Sequence, residues 1–269
     1  MKKSVVFLIF AIVVLSGCTS NQPTTKIEKF EDLGNDGVTI SIGNPEHVPA
    51  GRYAMEVLDN LRKSNPKLTD KIIKNIVSKE SNVRAVLDKV VSKEVDAGFV
   101  YRTDAYMEKD KVKIIKIPKE INVVPEYPIA VLKDSDDKER AEEFVKFVLS
   151  KEGQEILEKY GFIPIKNPQS YEPKKIGGEI IVYAAASLTD AFKEISNEFE
   201  KKTGCKVKLL FASSGSLRQR IEGGAVGGES GADVFASASL KHMNILKKEG
   251  FVDNYSIFAK NELVVITPK

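Results

Sequence analysis

The chain is poor in the residues that build metal centres and disulfides. Its 269 residues include two cysteines, Cys18 and Cys205, and two histidines, His47 and His242. The histidines lie far apart in the sequence, without Cys, Asp or Glu at metal-ligand spacing around them, so no metal cation site is expected. If Cys18 is modified, as the leader described below predicts, Cys205 has no partner for an internal disulfide and is expected to be a buried strand residue.

An excess of charge of either sign is also missing. Lysine and arginine number 41 against 38 aspartates and glutamates, and removal of a leader containing Lys2 and Lys3 would leave an almost neutral chain. No basic stripe interleaved with aromatic residues occurs, so nucleic-acid binding is not expected.

One long apolar run is present, from Val5 to Leu15. Its eleven residues fall well short of the roughly 20 that a membrane-spanning helix needs. Two lysines precede it and the motif LSGC follows it, ending at Cys18. This pattern predicts a lipoprotein signal peptide at 1–17, a lipidated Cys18 and an anchor linker at 18–25, and hence an exported protein held on the outer face of the cell membrane.

The rest of the chain alternates short β-like runs with amphipathic segments, which predicts an α/β fold. Apolar residues recur at helical spacing, for example at Phe192, Ile195 and Phe199. A stretch rich in proline and glycine at 167–178 reads as a linker. The predicted strands are GVTISIG, DAGFVY, VKIIKIP, EYPIAVL, EIIVYAAA, KVKLLFAS, ADVFASA and ELVVITPK.

Four junctions between a strand and a helix share one layout, a small or hydroxyl residue followed by the first helical turn. Such helix ends offer unpaired N–H groups and a partial positive charge, and serine hydroxyls add donors, so several converging ends would bind an anion. Helix capping alone explains any single junction, so the spacing leaves capping and ligand binding both open. The junctions are Ser187, Ser213 with Ser214, Pro49 to Gly51, and Ser81 to Val83.

Six motifs taken together resemble the substrate-binding component of molybdate and tungstate ABC importers, over residues 26–269: AAASLTDAF, FASSGSL, ADVFASAS, GNPEHVPAGRYA, SNVRAVL and AGFVYRTDA. The resemblance implies a two-lobed, type II periplasmic-binding-protein-like fold, each lobe a mostly parallel sheet flanked by helices. It further implies a monomer without cofactor or enzymatic activity, which closes on molybdate or tungstate and delivers it to a membrane permease.

By the same resemblance, five residues would bind the oxyanion. They are Ser187 and Ser214 through hydroxyl and backbone N–H, Ala50 and Val83 through backbone N–H, and Tyr101 through its hydroxyl. Ser216 leaves open which hydroxyl of the FASSGSL motif points at the ligand. Neutral donors of this kind suit a fully deprotonated dianion, because no acceptor is present for the proton of hydrogen phosphate. His47 is expected to pack within its loop.

The order of the motifs is reversed relative to the family, which predicts a circular permutation. Residues 26–122 would form the usual second lobe and 123–269 the usual first lobe, with 167–178 bridging the old termini. Joining Lys269 to Thr24 would restore the ordinary order. With one of two crossings cut, a single connection and a looser hinge are expected between the lobes.

Other functions stay open on the residues alone. A sulfate or other tetrahedral-oxyanion receptor would use the same donors, and a sensor or adhesin would carry the same leader. A secreted hydrolase with Ser187 or Ser214 as nucleophile needs a nearby base, and both histidines lie outside any nucleophile motif.

Overall fold

The computed structural model describes residues 26–269. The predicted signal peptide, the lipidation site Cys18 and the anchor linker therefore lie outside the described residues. Among the described residues, no helix combines the length and apolar character needed to cross a bilayer.

The described residues fold into strands and helices that alternate along much of the chain. The strands are β1 (Ile40–Gly43), β2 (Ile76–Glu80), β3 (Ala97–Tyr101), β4 (Val112–Lys116), β5 (Glu126–Val131), β6 (Ile163–Pro164), β7 (Glu179–Ala185), β8 (Lys206–Ala212), β9 (Val234–Ala236), β10 (Ser256–Lys260) and β11 (Leu263–Pro268). The α-helices are α1 (Pro49–Arg62), α2 (Pro66–Lys74), α3 (Val83–Val91), α4 (Arg102–Met107), α5 (Lys138–Leu149), α6 (Lys151–Lys159), α7 (Thr189–Thr203), α8 (Ser214–Glu222) and α9 (Leu240–Lys248).

The strands form two sheets, each at the centre of one lobe. Lobe A contains the sheet β2-β1-β3-β11-β4, and lobe B contains the sheet β6-β10-β5-β9-β7-β8. The two-sheet α/β architecture predicted from the sequence is confirmed. Each sheet contains more antiparallel pairs than expected. Parallel pairs join β1 to β2 and β3 in lobe A, and β7 to β8 and β9 in lobe B. Antiparallel pairs join β5, β10 and β11 to their neighbours. These antiparallel strands flank the connections between lobes.

The chain crosses between the lobes twice, from β4 to β5 and from β10 to β11. The expectation that 123–269 forms one lobe is therefore wrong for its last strand, since β11 lies inside the sheet of lobe A, between β3 and β4. The run Leu263–Ile266 is buried along its whole length, which suits an interior strand. The expected single connection is wrong for the same reason.

The two crossings lie side by side. The backbone N–H of Asn261 donates to the carbonyl of Pro125 at 3.0 Å. The side-chain amide of Asn122 donates to the carbonyl of Leu263, also at 3.0 Å. The lobes are thus joined by a pair of hydrogen-bonded connections.

Helix α1 shows how the lobes position helix ends. Ala54, Val57 and Leu58 are fully buried against the sheet, and burial of such aliphatic side chains contributes roughly 1.5 to 3 kcal/mol for each large residue. A Cβ on Gly51 would lie 1.7 Å from the carbonyl oxygen of Gly43, at the end of β1. Only glycine allows the first turn of α1 to pack this closely on the strand that precedes it.

The stretch 167–178 connects β6 to β7 without regular secondary structure. It runs along lobe B, where Gln169 N–H donates to Leu149 O at 3.1 Å and Ile176 N–H donates to Thr203 O at 3.0 Å. The ring of Tyr171 packs edge-on against Phe147, with 5.3 Å between centroids. This predicted linker is therefore held to the lobe by its own contacts.

Candidate functional site

A small cavity of about 10 Å³ lies between the two lobes. A cavity needs about 10 to 15 Å³ to hold one water molecule, so this one suits only an ion or a very small molecule. All five residues predicted to bind the ligand line it, and none of the described residues that line it has a charged side chain. The lining residues are Val48, Pro49, Ala50, Asn82, Val83, Tyr101, Ala185, Ala186, Ser187, Ser213, Ser214 and Ala238.

Four helix N-termini meet at this cavity, two from each lobe. Lobe A contributes α1, where Ala50 is the second residue, and α3, where Val83 is the first. Lobe B contributes α8, which begins at Ser214, and the single 3₁₀ turn Ala186–Leu188 that leads into α7. N–H groups at these positions have no intrahelical partner, and the helix dipoles place partial positive charge at the cavity.

Side-chain caps leave the first N–H groups of two helices free. The side chain of Asn82 accepts a hydrogen bond from Ala85 N–H at 3.1 Å, which leaves the N–H of Val83 for the cavity. The hydroxyl of Ser213 likewise accepts from Ser216 N–H at 3.2 Å. Ser213 and Asn82 thus serve as N-caps.

Ser214 is the member of its motif whose hydroxyl can serve a ligand. Its Oγ accepts a hydrogen bond from the backbone N–H of Ala238 at 3.0 Å. Because a backbone N–H only donates, the hydroxyl hydrogen of Ser214 remains available. The hydroxyl of Ser216 instead lies 2.8 Å from that of Ser213, and Ser216 is absent from the cavity lining.

Tyr101 places an unpaired hydroxyl in the cavity. It lies at the end of β3 with 1% of its surface exposed, and its buried hydroxyl has no hydrogen-bond partner within residues 26–269. Burial raises the pKa of Tyr101 well above its ordinary value, so the phenol keeps its proton. A buried donor without a hydrogen-bond partner lowers the stability of the folded protein by about 1 to 3 kcal/mol, and a hydrogen bond to a ligand oxygen would remove this loss.

Direct contacts hold the lobes together around the cavity. The N–H of Gly215 in lobe B donates to the carbonyl oxygen of His47 in lobe A at 2.9 Å. The guanidinium of Arg52 donates to the Ser239 hydroxyl at 2.6 Å. His47 thus contributes its backbone at the lobe interface, and its side chain is absent from the cavity lining.

A third contact between the lobes is an ion-pair network centred on Arg84. This guanidinium lies 2.6 Å from Asp190 in lobe B and 2.8 Å from Asp104 in lobe A. Asp104 is fully buried, and burial raises its pKa from 3.8 to about 6, against the opposing effect of Arg84.

Sequence reasoning missed two polar residues behind the cavity, Tyr127 and Asn261. The hydroxyls of Tyr127 and Ser187 lie 3.1 Å apart, and Asn261 donates to the Tyr127 hydroxyl at 3.3 Å. Tyr127 lies within a predicted strand, where an aromatic residue is ordinarily core. Asn261 precedes the last predicted strand, where it resembles a loop residue. Neither carries a motif that would have marked it.

The geometry gives neither candidate serine a base. Within residues 26–269, the hydrogen-bond partners of the Ser187 and Ser214 hydroxyls are the Tyr127 hydroxyl and the Ala238 backbone. Activation of a serine nucleophile requires an adjacent general base such as histidine. Within the described residues, neither serine therefore has the activation that a nucleophile requires.

Two α/β lobes around a cleft with hydrogen-bond donors form the type II periplasmic-binding-protein fold predicted from the sequence. A solved phosphate-binding protein of a phosphate ABC transporter from Streptococcus pneumoniae shares this fold, with a TM-score of 0.51 and 14% identity over 87% of this chain and 90% of that chain. The chain belongs to the family of bacterial extracellular solute-binding proteins, which it matches over residues 3–163 and 180–269.

The names of similar curated proteins mention two ligands, molybdate and phosphate. The putative ABC transporter substrate-binding lipoprotein YvgL of Bacillus subtilis is 41% identical over 152 residues, which are 56% of this chain and 54% of that protein. The molybdate-binding protein ModA of Mycobacterium tuberculosis is 35% identical over 137 residues, 51% of this chain and 49% of that protein. The chain spans about half the length of these two relatives. The phosphate-binding protein PstS 2 of Streptococcus agalactiae is 24% identical over 246 residues, 87% of this chain and 80% of that protein.

Proposed function

We propose that this protein binds molybdate or tungstate outside the cell and delivers it to the permease of an ABC importer. The observation that carries the proposal is the Tyr101 hydroxyl, which has no hydrogen-bond partner within residues 26–269 and lies in a small cavity where four helix N-termini meet. An inorganic oxyanion offers acceptors on every side and has the negative charge that helix N-termini favour.

The donor set is sufficient for tight binding. Hydrogen bonds to a charged group contribute about 1.5 to 3 kcal/mol each. Five residues offer roughly six or seven donors, and nanomolar affinity needs about 12 kcal/mol after the costs of association and desolvation. Charged side chains are not required for this affinity.

The lining favours an anion without a proton. The ModA relatives bind molybdate and the PstS 2 relatives bind phosphate, by their names. Hydrogen phosphate carries a proton that needs an acceptor, and the cavity lining contains no carboxylate. Molybdate and tungstate are fully deprotonated at neutral pH and satisfy a site made of donors.

The export and anchoring of the protein are part of the same proposal. The leader at 1–17 and Cys18 fit a lipoprotein, and one relative is described as a substrate-binding lipoprotein of an ABC transporter. A receptor anchored beside its permease would work as a monomer and needs no cofactor.

We also infer that the chain is a circular permutation of the family order. The family match breaks at 164–179, which overlaps the predicted bridge at 167–178. The end of β11 lies by β4, where Thr267 pairs with Lys113. The charge of Lys113 also acts, after that of Lys26, to lower the pKa of Glu28 among the first described residues, so these residues and the end of β11 share one neighbourhood. A reordered chain joining Lys269 to Thr24 should fold and bind with the same affinity; failure to fold would contradict this inference.

A thermal-shift panel of molybdate, tungstate, sulfate, phosphate and chromate tests the ligand. A ligand present at 100 times its dissociation constant stabilises the folded protein by about 2.7 kcal/mol. Molybdate and tungstate are expected to raise the melting temperature most. A shift with sulfate alone would assign the site to sulfate, and a shift with phosphate but with neither molybdate nor tungstate would contradict the proposal.

A further inference from the structure

The hydroxyl of Ser187 is connected to the interior through a chain of buried polar groups. Asn261 and Tyr127 are fully buried and Ser187 is 3% exposed. Asn261 Nδ2 lies 3.3 Å from Tyr127 Oη, which lies 3.1 Å from Ser187 Oγ. We call this the Asn261–Tyr127–Ser187 chain. It begins at a crossing between the lobes and ends at the cavity.

The orientation of the Asn261 amide is set by the backbone. The N–H of Glu262 lies 2.9 Å from Asn261 Oδ1, and because a backbone N–H only donates, the side-chain atom facing it is the oxygen. The amide nitrogen therefore faces the Thr103 hydroxyl at 3.0 Å and the Tyr127 hydroxyl at 3.3 Å. Both amide hydrogens are engaged by these two acceptors.

The hydroxyl of Tyr127 in turn fixes the direction of its hydrogen bond with Ser187. Burial raises the pKa of Tyr127 far above its ordinary value, so the phenol stays protonated. Its oxygen accepts from Asn261, and its proton is directed to Ser187 Oγ, its other hydrogen-bond partner within residues 26–269. With its oxygen accepting from Tyr127, Ser187 has its own hydrogen left for the cavity.

We propose that Asn261 and Tyr127 are positioning residues that fix the Ser187 hydroxyl as a donor and thereby make the site reject anions that carry a proton. This rests on the proposed function. The Ser214 hydroxyl is likewise fixed as a donor toward the cavity, because the Ala238 backbone N–H donates to its oxygen. Of the two candidate ligand serines, Ser187 is the one whose hydroxyl is oriented by side chains within residues 26–269, so a substitution can reverse its orientation.

Two variants change the hydrogen bonding of the Ser187 hydroxyl in different ways. Tyr127→Phe removes the hydroxyl and frees Ser187 to rotate, while the ring keeps its edge-on packing against Tyr101 and Phe162. Asn261→Asp offers only acceptors to Tyr127. The phenol then donates to the carboxylate and accepts from Ser187, which turns the serine oxygen into an acceptor toward the cavity.

The test is the ratio of affinities for molybdate and hydrogen phosphate, measured by calorimetric competition in mildly alkaline buffer. At that pH molybdate and hydrogen phosphate both carry two negative charges, so the added charge of Asn261→Asp affects their binding alike. A change in the ratio of affinities then reports the effect of the proton on hydrogen phosphate. Tyr127→Phe should weaken molybdate binding by about 3- to 10-fold, and both variants should lower the molybdate preference by about tenfold or more. The matched control Tyr171→Phe removes a buried tyrosine hydroxyl on the linker of lobe B that has no hydrogen-bond partner within residues 26–269, and it should leave the ratio unchanged.

The outcomes separate the two proposals. If the wild-type protein binds no tetrahedral oxyanion, the proposed function fails and this inference fails with it. If wild type binds molybdate and Tyr127→Phe, the more conservative variant, keeps the same molybdate-to-phosphate ratio, the inference is overturned while the proposed function stands. A lowered ratio in Tyr127→Phe with an unchanged ratio in Tyr171→Phe supports it.

Discussion

At the scale of single residues, Gly215 lies where the backbones of the two lobes are in direct contact. A Cβ at this position would lie 2.4 Å from the carbonyl oxygen of His47 and 2.7 Å from its Cα. These are backbone atoms, so a larger residue could be accommodated only if the lobes moved apart. Closure around the cavity therefore depends on a hydrogen atom in place of a side chain.

Gly215→Ala is expected to hold the lobes partly open. Ligand affinity should fall by about tenfold or more, because the donors of lobe A and lobe B would no longer reach one ligand together. Calorimetry with molybdate measures the loss, and small-angle scattering measures the compaction on binding. Gly223→Ala, at the other end of α8, meets its nearest neighbour at 3.3 Å and is the matched control. Equal affinity in both variants would contradict this description of closure.

At the scale of elements, two adjacent serines at the start of α8 have different expected roles: Ser213 caps the helix, and Ser214 is proposed to bind the ligand. Ser213→Ala removes the N-cap and should lower the free energy of unfolding by about 1 kcal/mol, with a small effect on affinity. Ser214→Ala removes a donor to the anion and should weaken molybdate binding by about 10-fold or more. Urea unfolding and calorimetry on both variants check this; the reverse pattern would exchange the two roles.

The sequence predicts most elements but not the polar groups behind the site. All eight predicted strands are present, because each is an apolar run bounded by turns. Strands β2, β6 and β10 were missed. The sheet-edge strand β2 has half-buried or exposed residues, so its pattern reads as polar. Tyr127 and Asn261 were missed because their role depends on two crossings that meet only in the folded chain. The prediction that the last strand, β11, belongs to the same lobe as the rest of 123–269 was wrong, because an apolar run in the sequence does not show which of two sheets the strand joins.

At the scale of the whole molecule, the Arg84 network joins the lobes through a buried charge. The folded-state pKa of Asp104, about 6, lies above its ordinary 3.8. The folded protein therefore holds a proton that the unfolded chain releases between these values, and the contribution of Asp104 to stability falls as pH rises through that window.

Arg84→Met should leave this carboxylate without its cationic partner. Breaking a buried pair costs about 3 to 5 kcal/mol, and the partial exposure of Arg84 places the expected loss near the lower value. The loss should be largest above about pH 6 and should shrink as pH falls and Asp104 takes up a proton. Urea unfolding of both proteins across this range measures it. A loss independent of pH would contradict the assignment.

In the proposed function, neutral donors in one small cavity bind a deprotonated oxyanion. Calorimetric titration of molybdate into the wild-type protein and into Tyr101→Phe tests this, because the buried Tyr101 hydroxyl has no hydrogen-bond partner within residues 26–269 and would gain one from a ligand. The wild-type protein should bind molybdate one to one in the nanomolar range, and the variant should bind about 10- to 100-fold more weakly. Equal affinity in the two proteins, or no molybdate binding by wild type, would contradict the claim.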